Sequence, residues 1–184
     1  MRAPAASPCP RAVRGPTVGG VTTLRAHRVR ALASIVAEGA AVGAVLASRE
    51  APPRSRRRVL TATAAGAVIA ADQTALELPA VLREARTTGT VGPVPAHERG
   101  ALVEAGTRAL LLGVLLQVVD RPALERLTRR GVPHPHRWLG AAAAVAHTAV
   151  LAPVYWRLAG ERARADAERE AAIEAELQEM AAGG

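Results

Sequence analysis

Apolar residues gather along the chain in four stretches that are each long enough to form a helix. The four stretches cover roughly residues 31–47, 59–86, 96–119 and 136–160. A basic linker with Pro52-Pro53 follows the first stretch, and Gly- and Pro-rich residues 87–95 precede the third. The pattern predicts an all-α fold of about four hydrophobic helices, with an interruption near Pro79 and a separate short helix within 120–137.

The two ends of the chain lack this apolar pattern. Residues 1–24 are rich in Pro, Gly and Arg without periodicity, which predicts a disordered tail. Residues 161–184 alternate Arg with acids at helical spacing, which predicts a charged helical extension, either a solvated helix or a contact for a partner. The four hydrophobic helices then form one domain over residues 25–160.

The third stretch is the strongest candidate for a membrane span. It holds ten large aliphatic residues, worth about −3 to −6 kcal/mol in total on an insertion scale. Its charged residues, Glu104 and Arg108, lie toward one end, where they cost less. We therefore expect this helix to insert into a lipid bilayer.

The fourth stretch carries the chain's only three aromatic residues, at its two ends. Trp138 stands at one end and Tyr155-Trp156 at the other, ~26 Å apart along a helix. This separation is typical of aromatic residues at the two membrane interfaces. The expected architecture is thus a small multi-pass helical bundle in the cell membrane, with the lipid bilayer as its partner.

The first two stretches are weaker spans because each contains carboxylates. Glu38 lies in the middle of the first stretch, and Asp72 and Glu77 lie in the second. We expect these two helices to span only if neighbouring helices satisfy the carboxylates.

Composition changes how much these features mean. All 24 basic residues are Arg, and Lys, Asn and Phe are absent, which indicates a bacterium with a GC-rich genome. The chain is 49% hydrophobic but only 2% aromatic, so a soluble core would bury little area per residue. A soluble Ala-rich helical bundle with a basic N-terminal arm remains the alternative to the membrane bundle.

Positive charge is concentrated in the first third of the chain. The net charge is +8, and residues 1–60 hold eleven arginines against Glu38 and Glu50. No aromatic residue interleaves with these arginines to stack on bases, so we expect no nucleic acid partner. Arginines that flank membrane helices are the simpler interpretation.

Six polar residues within the apolar stretches are the candidate functional residues, because ionisable groups inside a membrane usually serve a purpose. They are Glu38, Asp72, Glu77, Glu104, Arg108 and His147. Together they could line a path for protons or form an intramembrane enzyme site. The alternative is a structural network of hydrogen bonds, in which Glu104 and Arg108 neutralise each other as an i, i+4 pair.

Other small motifs have less to offer. Gly39 and Gly43 form a GxxxG spacing, which is typical of close helix packing or of a homo-oligomer face. His134 and His136 flank a proline, and two imidazoles do not make a zinc site. The single Cys9 lies in the tail, so we expect no metal and no cofactor.

One fragment resembles a known family. Glu104-Ala-Gly-Thr-Arg108, followed by His147 on the next span, resembles the ExxxR and later His of the CAAX-protease-like intramembrane peptidases. Those enzymes have two adjacent glutamates and a Phe four residues before the His, whereas Val103 and Ala143 occupy these positions here. We assign no family on this resemblance. The expected function is that of a non-enzymatic accessory or transport-related membrane component. The alternative is an intramembrane enzyme or proton-coupled carrier that uses Glu104, Arg108 and His147.

Overall fold

The computed structural model describes residues 18–88 and 96–183, and these residues are helical apart from short connections. The helices are α1 (Val18–Ala47), α2 (Arg56–Thr88), α3 (Ala96–Arg129) and α4 (Pro135–Ala182), with a short 3-10 helix at Ser48–Glu50. No strand occurs in the described part of the chain. The predicted all-α class is therefore confirmed.

The helices are longer than the apolar stretches that predicted them. α1 begins at Val18, inside the predicted tail, while residues 1–17 lie outside the described part of the chain. α2 continues past Pro79, and α3 continues through Pro122 instead of ending near residue 119. A single proline removes one backbone hydrogen bond, and neighbouring turns can carry a helix across it.

The charged C-terminal extension is part of α4, without a break at residue 160. Beyond Ala167 its residues are exposed, including the three that form its short apolar stripe, Ile173, Leu177 and Met180. The Arg- and Glu-rich sequence is favourable for helix, so the helix continues where packing ends.

Three helices are long and apolar enough to cross a membrane. They are α1, α3 and α4, over Thr23–Glu50, Glu98–Arg129 and Pro135–Ala182. Among the described residues that could be assessed, α2 does not reach this standard. The sequence had already indicated a weak second span because of its carboxylates.

α1 and α4 form the centre of the molecule and run antiparallel. Their buried contact contains Ile35 of α1 and Leu151 and Tyr155 of α4. α2 packs against α1, and α3 packs against α4, whereas α2 and α3 do not contact each other within the described residues. The bundle is thus open on the side between α2 and α3.

Glycines allow α1 and α4 to approach each other at backbone distance. A Cβ atom on Gly43 would lie 2.6 Å from the carbonyl oxygen of Gly140, closer than any real side chain can come. A Cβ on Gly39 would lie 2.8 Å from the carbonyl oxygen of Ala144. The GxxxG spacing of α1 therefore meets small residues at the same spacing on α4, which is a common way for helices to pack in lipid.

α3 has the opposite character. It touches α4 through Ala105 and Ala109, and Leu112 is buried. Seven of its large aliphatic side chains are exposed: Val103, Leu110, Leu111, Val114, Leu115, Val118 and Val119. Its most apolar window is only 6% buried inside the protein.

Candidate functional site

A cluster of three polar side chains lies between α1 and α4. The hydroxyl of Tyr155 donates a hydrogen bond of 2.9 Å to Oε1 of Glu38. The other carboxylate oxygen, Oε2, lies 3.5 Å from Nε2 of His147, an ion-pair distance without hydrogen-bond geometry. All three residues are buried, with 6%, 8% and 9% of the surface exposed for Glu38, His147 and Tyr155.

The positions of these residues follow from helical spacing. His147, Leu151 and Tyr155 are four residues apart, so they lie on one face of α4, the face that meets α1. Leu151 packs between the two polar residues as part of the apolar core. One carboxylate from α1 can therefore reach two polar groups on α4, one turn on either side of that leucine.

A second polar pair lies one turn along α1. Ser34 is four residues before Glu38, and its hydroxyl donates a hydrogen bond of 3.0 Å to Oδ1 of Asp72 on α2. The other oxygen of Asp72 is buried and has no hydrogen-bond partner among the described residues. This pair brings α2 to the same polar region as α1 and α4.

A cavity of about 20 Å³ lies beside Ser34 and Tyr155. Ser34 and Tyr155 line it on the inner side, and His27, Arg30 and Arg162 line it on the outer side. A volume of this size holds one water molecule. A hydrated contact between the buried cluster and the polar end is therefore geometrically possible.

Glu104 and Arg108 lie together, as their spacing predicts, and their polar contacts are with each other and with α4. Nη2 of Arg108 is 2.6 Å from Oε1 of Glu104. Arg157 of α4 pairs with the same carboxylate, and Arg108 also donates a hydrogen bond of 3.2 Å to the carbonyl of Val150. These side chains are between a third and a little over half exposed, so the group is a partly exposed contact between α3 and α4.

The six candidate residues thus divide into separate groups. His147 contacts Glu38, and Asp72 contacts Ser34, whereas Glu104 and Arg108 contact Arg157 and the α4 backbone. The side chain of Glu77 lies outside the described residues. No hydrogen bond or ion pair in the described part of the chain joins His147 to Glu104 or Arg108.

Sequence reasoning missed Ser34 and the inward direction of Tyr155. Tyr155 was expected at a membrane interface with Trp156, but it points toward Glu38 while Trp156 is exposed. The usable signal was the spacing of eight residues between His147 and Tyr155, which places both on one face. Adjacent residues on a helix point in different directions, so Tyr155 and Trp156 can lie at the same height along α4 and still face different surroundings.

The described side chains do not suggest a metal site. No group of three or more His, Cys, Asp or Glu residues comes together in the described part of the chain in a way that could hold a metal ion. The chemistry that the Glu38 cluster offers is the binding of a proton and hydrogen bonding between helices.

Comparison of the chain with protein-family models, with curated proteins and with solved structures finds no match.

Proposed function

We propose that the chain is a multi-pass integral protein of the cell membrane that serves as a non-enzymatic accessory or transport-related component. The observation that carries this proposal is the surface of α3, where large aliphatic side chains point away from the rest of the protein. A soluble protein rarely exposes so large an apolar surface, whereas a lipid bilayer covers it at no cost.

The exposed tryptophans support the same proposal. Trp138 and Trp156 are 62% and 41% exposed. They are eighteen residues apart, which is about five helical turns or ~27 Å, so they lie on one face of α4 at a separation close to the ~30 Å of a hydrocarbon core. Arg28 of α1 stacks on the ring of Trp156 at 4.7 Å, an arrangement suited to a polar–apolar boundary.

The packing of α1 on α4 is a third line of support. In lipid, helices gain little from burying large apolar side chains and associate through small residues and hydrogen bonds. The α1–α4 contact has both, in its glycines and in the Tyr155–Glu38 bond.

The test places charges on the exposed apolar surface of α3. In a double variant, Leu111→Asp and Val118→Asp, each aspartate should cost about 2.5–3.5 kcal/mol at the centre of a span. We expect the variant to be lost from the membrane fraction, as measured by pelleting and carbonate washing. The control, Ile173→Asp with Leu177→Asp, changes exposed residues of the charged extension and should stay in the membrane.

A soluble bundle would give the opposite result. In that case the wild-type protein would stay in the supernatant, and the double variant in α3 would be folded and more soluble. That outcome would overturn the membrane proposal.

A second candidate function is proton binding or transfer at the Glu38 cluster. The observation that favours it is a buried carboxylate beside an imidazole and a phenol, next to a cavity that opens toward the charged end. Ionisable groups at such depth in membrane proteins commonly mark proton or ion paths. Here the cluster, rather than Glu104 and Arg108, would bind the proton.

Proton flux into vesicles tests this candidate. The purified protein is reconstituted with a pH-sensitive dye inside, and a potassium gradient with valinomycin drives the flux. Glu38→Gln should reduce the flux by at least about tenfold, as expected for removal of an essential proton-transfer group, whereas Glu104→Gln should leave it unchanged. Flux that is insensitive to Glu38→Gln, or absent in the wild type, would leave the cluster with a structural role only.

A further inference from the structure

An apolar groove lies on the open side of the bundle, between α2 and α3. Its volume is about 390 Å³, and α1 forms its floor. The lining consists of apolar or small residues apart from Gln117: Ala41, Val42, Val45, Leu46, Ala62, Ala65, Gly66, Ile69, Gly113 and Leu116. Because α2 and α3 do not contact each other within the described residues, the groove is open to the surroundings along its length.

One end of the groove is bordered by arginines. Ala62 of the lining is only four residues, or ~6 Å along the helix, from Arg58. Three further arginines precede Arg58 in the linker and the first turn of α2, and all three are exposed: Arg54, Arg56 and Arg57. The groove is therefore apolar along its length and strongly basic at its mouth.

These four arginines differ from three arginines that join the helices through ion pairs. Arg49, Arg157 and Arg162 each pair with a carboxylate of another element. The side chains of Arg54, Arg56, Arg57 and Arg58 have no carboxylate partner among the described residues. Their charge is thus available to an external anion.

We propose that this groove binds an anionic phospholipid, with an acyl chain between α2 and α3. The headgroup would lie at Arg54, Arg56, Arg57 and Arg58. The change from apolar lining to basic mouth matches the change from acyl chain to phosphate along a lipid. Clusters of four or more arginines beside a membrane helix are typical of sites for acidic lipids. This inference rests on the proposed membrane location.

The bound lipid would help to hold α2 in its position against α1. α2 is the helix that does not reach the hydropathy of a membrane span among the residues assessed. A bound acyl chain would fill the space on its α3 side, and the headgroup would anchor its first turn. The lipid would then add to the protein contacts that α1 provides, and so stabilise the position of α2.

Native mass spectrometry of the detergent-purified protein tests the proposal, with phosphatidylglycerol and phosphatidylcholine as the probes. We expect retention of phosphatidylglycerol in preference to phosphatidylcholine. The triple variant Arg56→Gln, Arg57→Gln and Arg58→Gln should reduce that preference by at least about tenfold. The matched control replaces three exposed arginines at the end of α3, Arg126, Arg129 and Arg130, by Gln and should retain it.

A second pair of variants tests the acyl chain. Gly66 and Gly113 line the groove, and an added Cβ meets no atom within 4 Å at either, so Gly66→Leu with Gly113→Leu should fill the groove without a clash. Bound phosphatidylglycerol should be lost. The control Gly106→Leu, also on α3 and equally free of contacts but outside the groove, should bind lipid as the wild type does.

The outcomes separate this inference from the membrane proposal. Membrane-embedded protein that binds the two lipids equally, or that keeps phosphatidylglycerol when the groove is filled, overturns the lipid site alone. A stable dimer that is abolished by filling the groove would identify a second copy of the chain as the occupant and would also overturn it. Protein found outside the membrane fraction overturns both proposals.

Discussion

The contact between α1 and α4 and the outer surface of α3 differ in how closely their residues pack. The first brings two backbones together through Gly39, Gly43 and Gly140 and buries the Glu38 cluster together with aliphatic residues such as Leu151. The second exposes a row of leucines and valines and has few buried residues. The closely packed region thus combines small, polar and apolar residues, whereas a row of large aliphatic residues on α3 is left uncovered by the protein.

The exposed surface of α3 has a physical reason if the surroundings are lipid. Large aliphatic side chains gain nothing from leaving a hydrocarbon solvent, but they lose nothing by facing it. Close backbone approach adds dispersion contacts, and a hydrogen bond between buried polar groups contributes to stability where water is absent. Large aliphatic residues can therefore remain exposed on α3, while the α1–α4 contact depends on close packing and hydrogen bonds.

The sharpest way to break this comparison is to shorten one leucine in each region. Leu151 is 2% exposed in the core, and Leu151→Ala should destabilise the protein by about 2–5 kcal/mol because it leaves a cavity. Leu111 on α3 is 63% exposed, and Leu111→Ala should change stability by less than about 0.5 kcal/mol. Unfolding of the detergent-solubilised protein in SDS measures both, and equal effects would show that the α1–α4 contact is not more closely packed than the surface of α3.

The next largest effect should come from a single methyl group at the glycine contact. Gly43→Ala places a Cβ against the carbonyl of Gly140 and should destabilise the protein by about 1–3 kcal/mol. Gly160→Ala, on α4 where no atom lies within 4 Å, should instead stabilise by up to about 1 kcal/mol through helix propensity. The same unfolding measurement should give opposite signs, and a gain of stability for Gly43→Ala would show that the helices are not in backbone contact.

A smaller effect should follow from the polar bond in the same contact. Tyr155→Phe removes the donor to Glu38 and should cost about 1–2 kcal/mol, because a buried carboxylate loses one hydrogen bond. Trp156→Phe, at the adjacent exposed position, is the control and should cost less. If the two variants unfold alike, Tyr155 does not contribute through its hydroxyl.

The smallest effect should come from the charged attachment of α3. Glu98 forms a two-bond pair with Arg162 on α4, with distances of 3.0 and 2.6 Å. Both side chains are mostly buried, and Glu98→Gln keeps one oxygen that accepts from Arg162, so the substitution should cost about 1 kcal/mol, the contribution of one hydrogen bond. Hydrogen exchange should become faster in the first turns of α3 and stay unchanged in α1, whereas faster exchange throughout would mean that the pair supports the whole bundle.

The sequence predicted the helices better than their contacts. Helical periodicity and apolar length identified α3 and α4, and the aliphatic content of α3 predicted a helix suited to a bilayer. The ends were less predictable, since the continuation of α3 through Pro122 and of α4 past residue 160 depends on helix propensity rather than on apolar pattern. Apolar content detects the part of a helix that suits lipid, and not where its hydrogen bonding stops.

The candidate site could be predicted only as a set of residues. Glu38, Asp72 and His147 were identified because each is polar within an apolar stretch, but their partners depend on which helices are neighbours. α1 meets α4 across about a hundred residues of sequence, through glycines whose spacing is common in a Gly- and Ala-rich chain. The pairing of Glu38 with Tyr155 follows from that contact and had no separate signal in the sequence.

The length of α4 determines how far its C-terminal end lies from Trp156. From Trp156 the helix continues for 26 residues to Ala182, which corresponds to ~39 Å of stiff rod. Asp166 is tied to His27 of α1 at 2.9 Å, so the first part of this rod is braced and the remainder projects freely. If Trp156 marks a membrane boundary, the apolar stripe near Met180 lies some tens of ångströms from the bilayer. A partner that binds this stripe would then bind at that distance from the membrane surface.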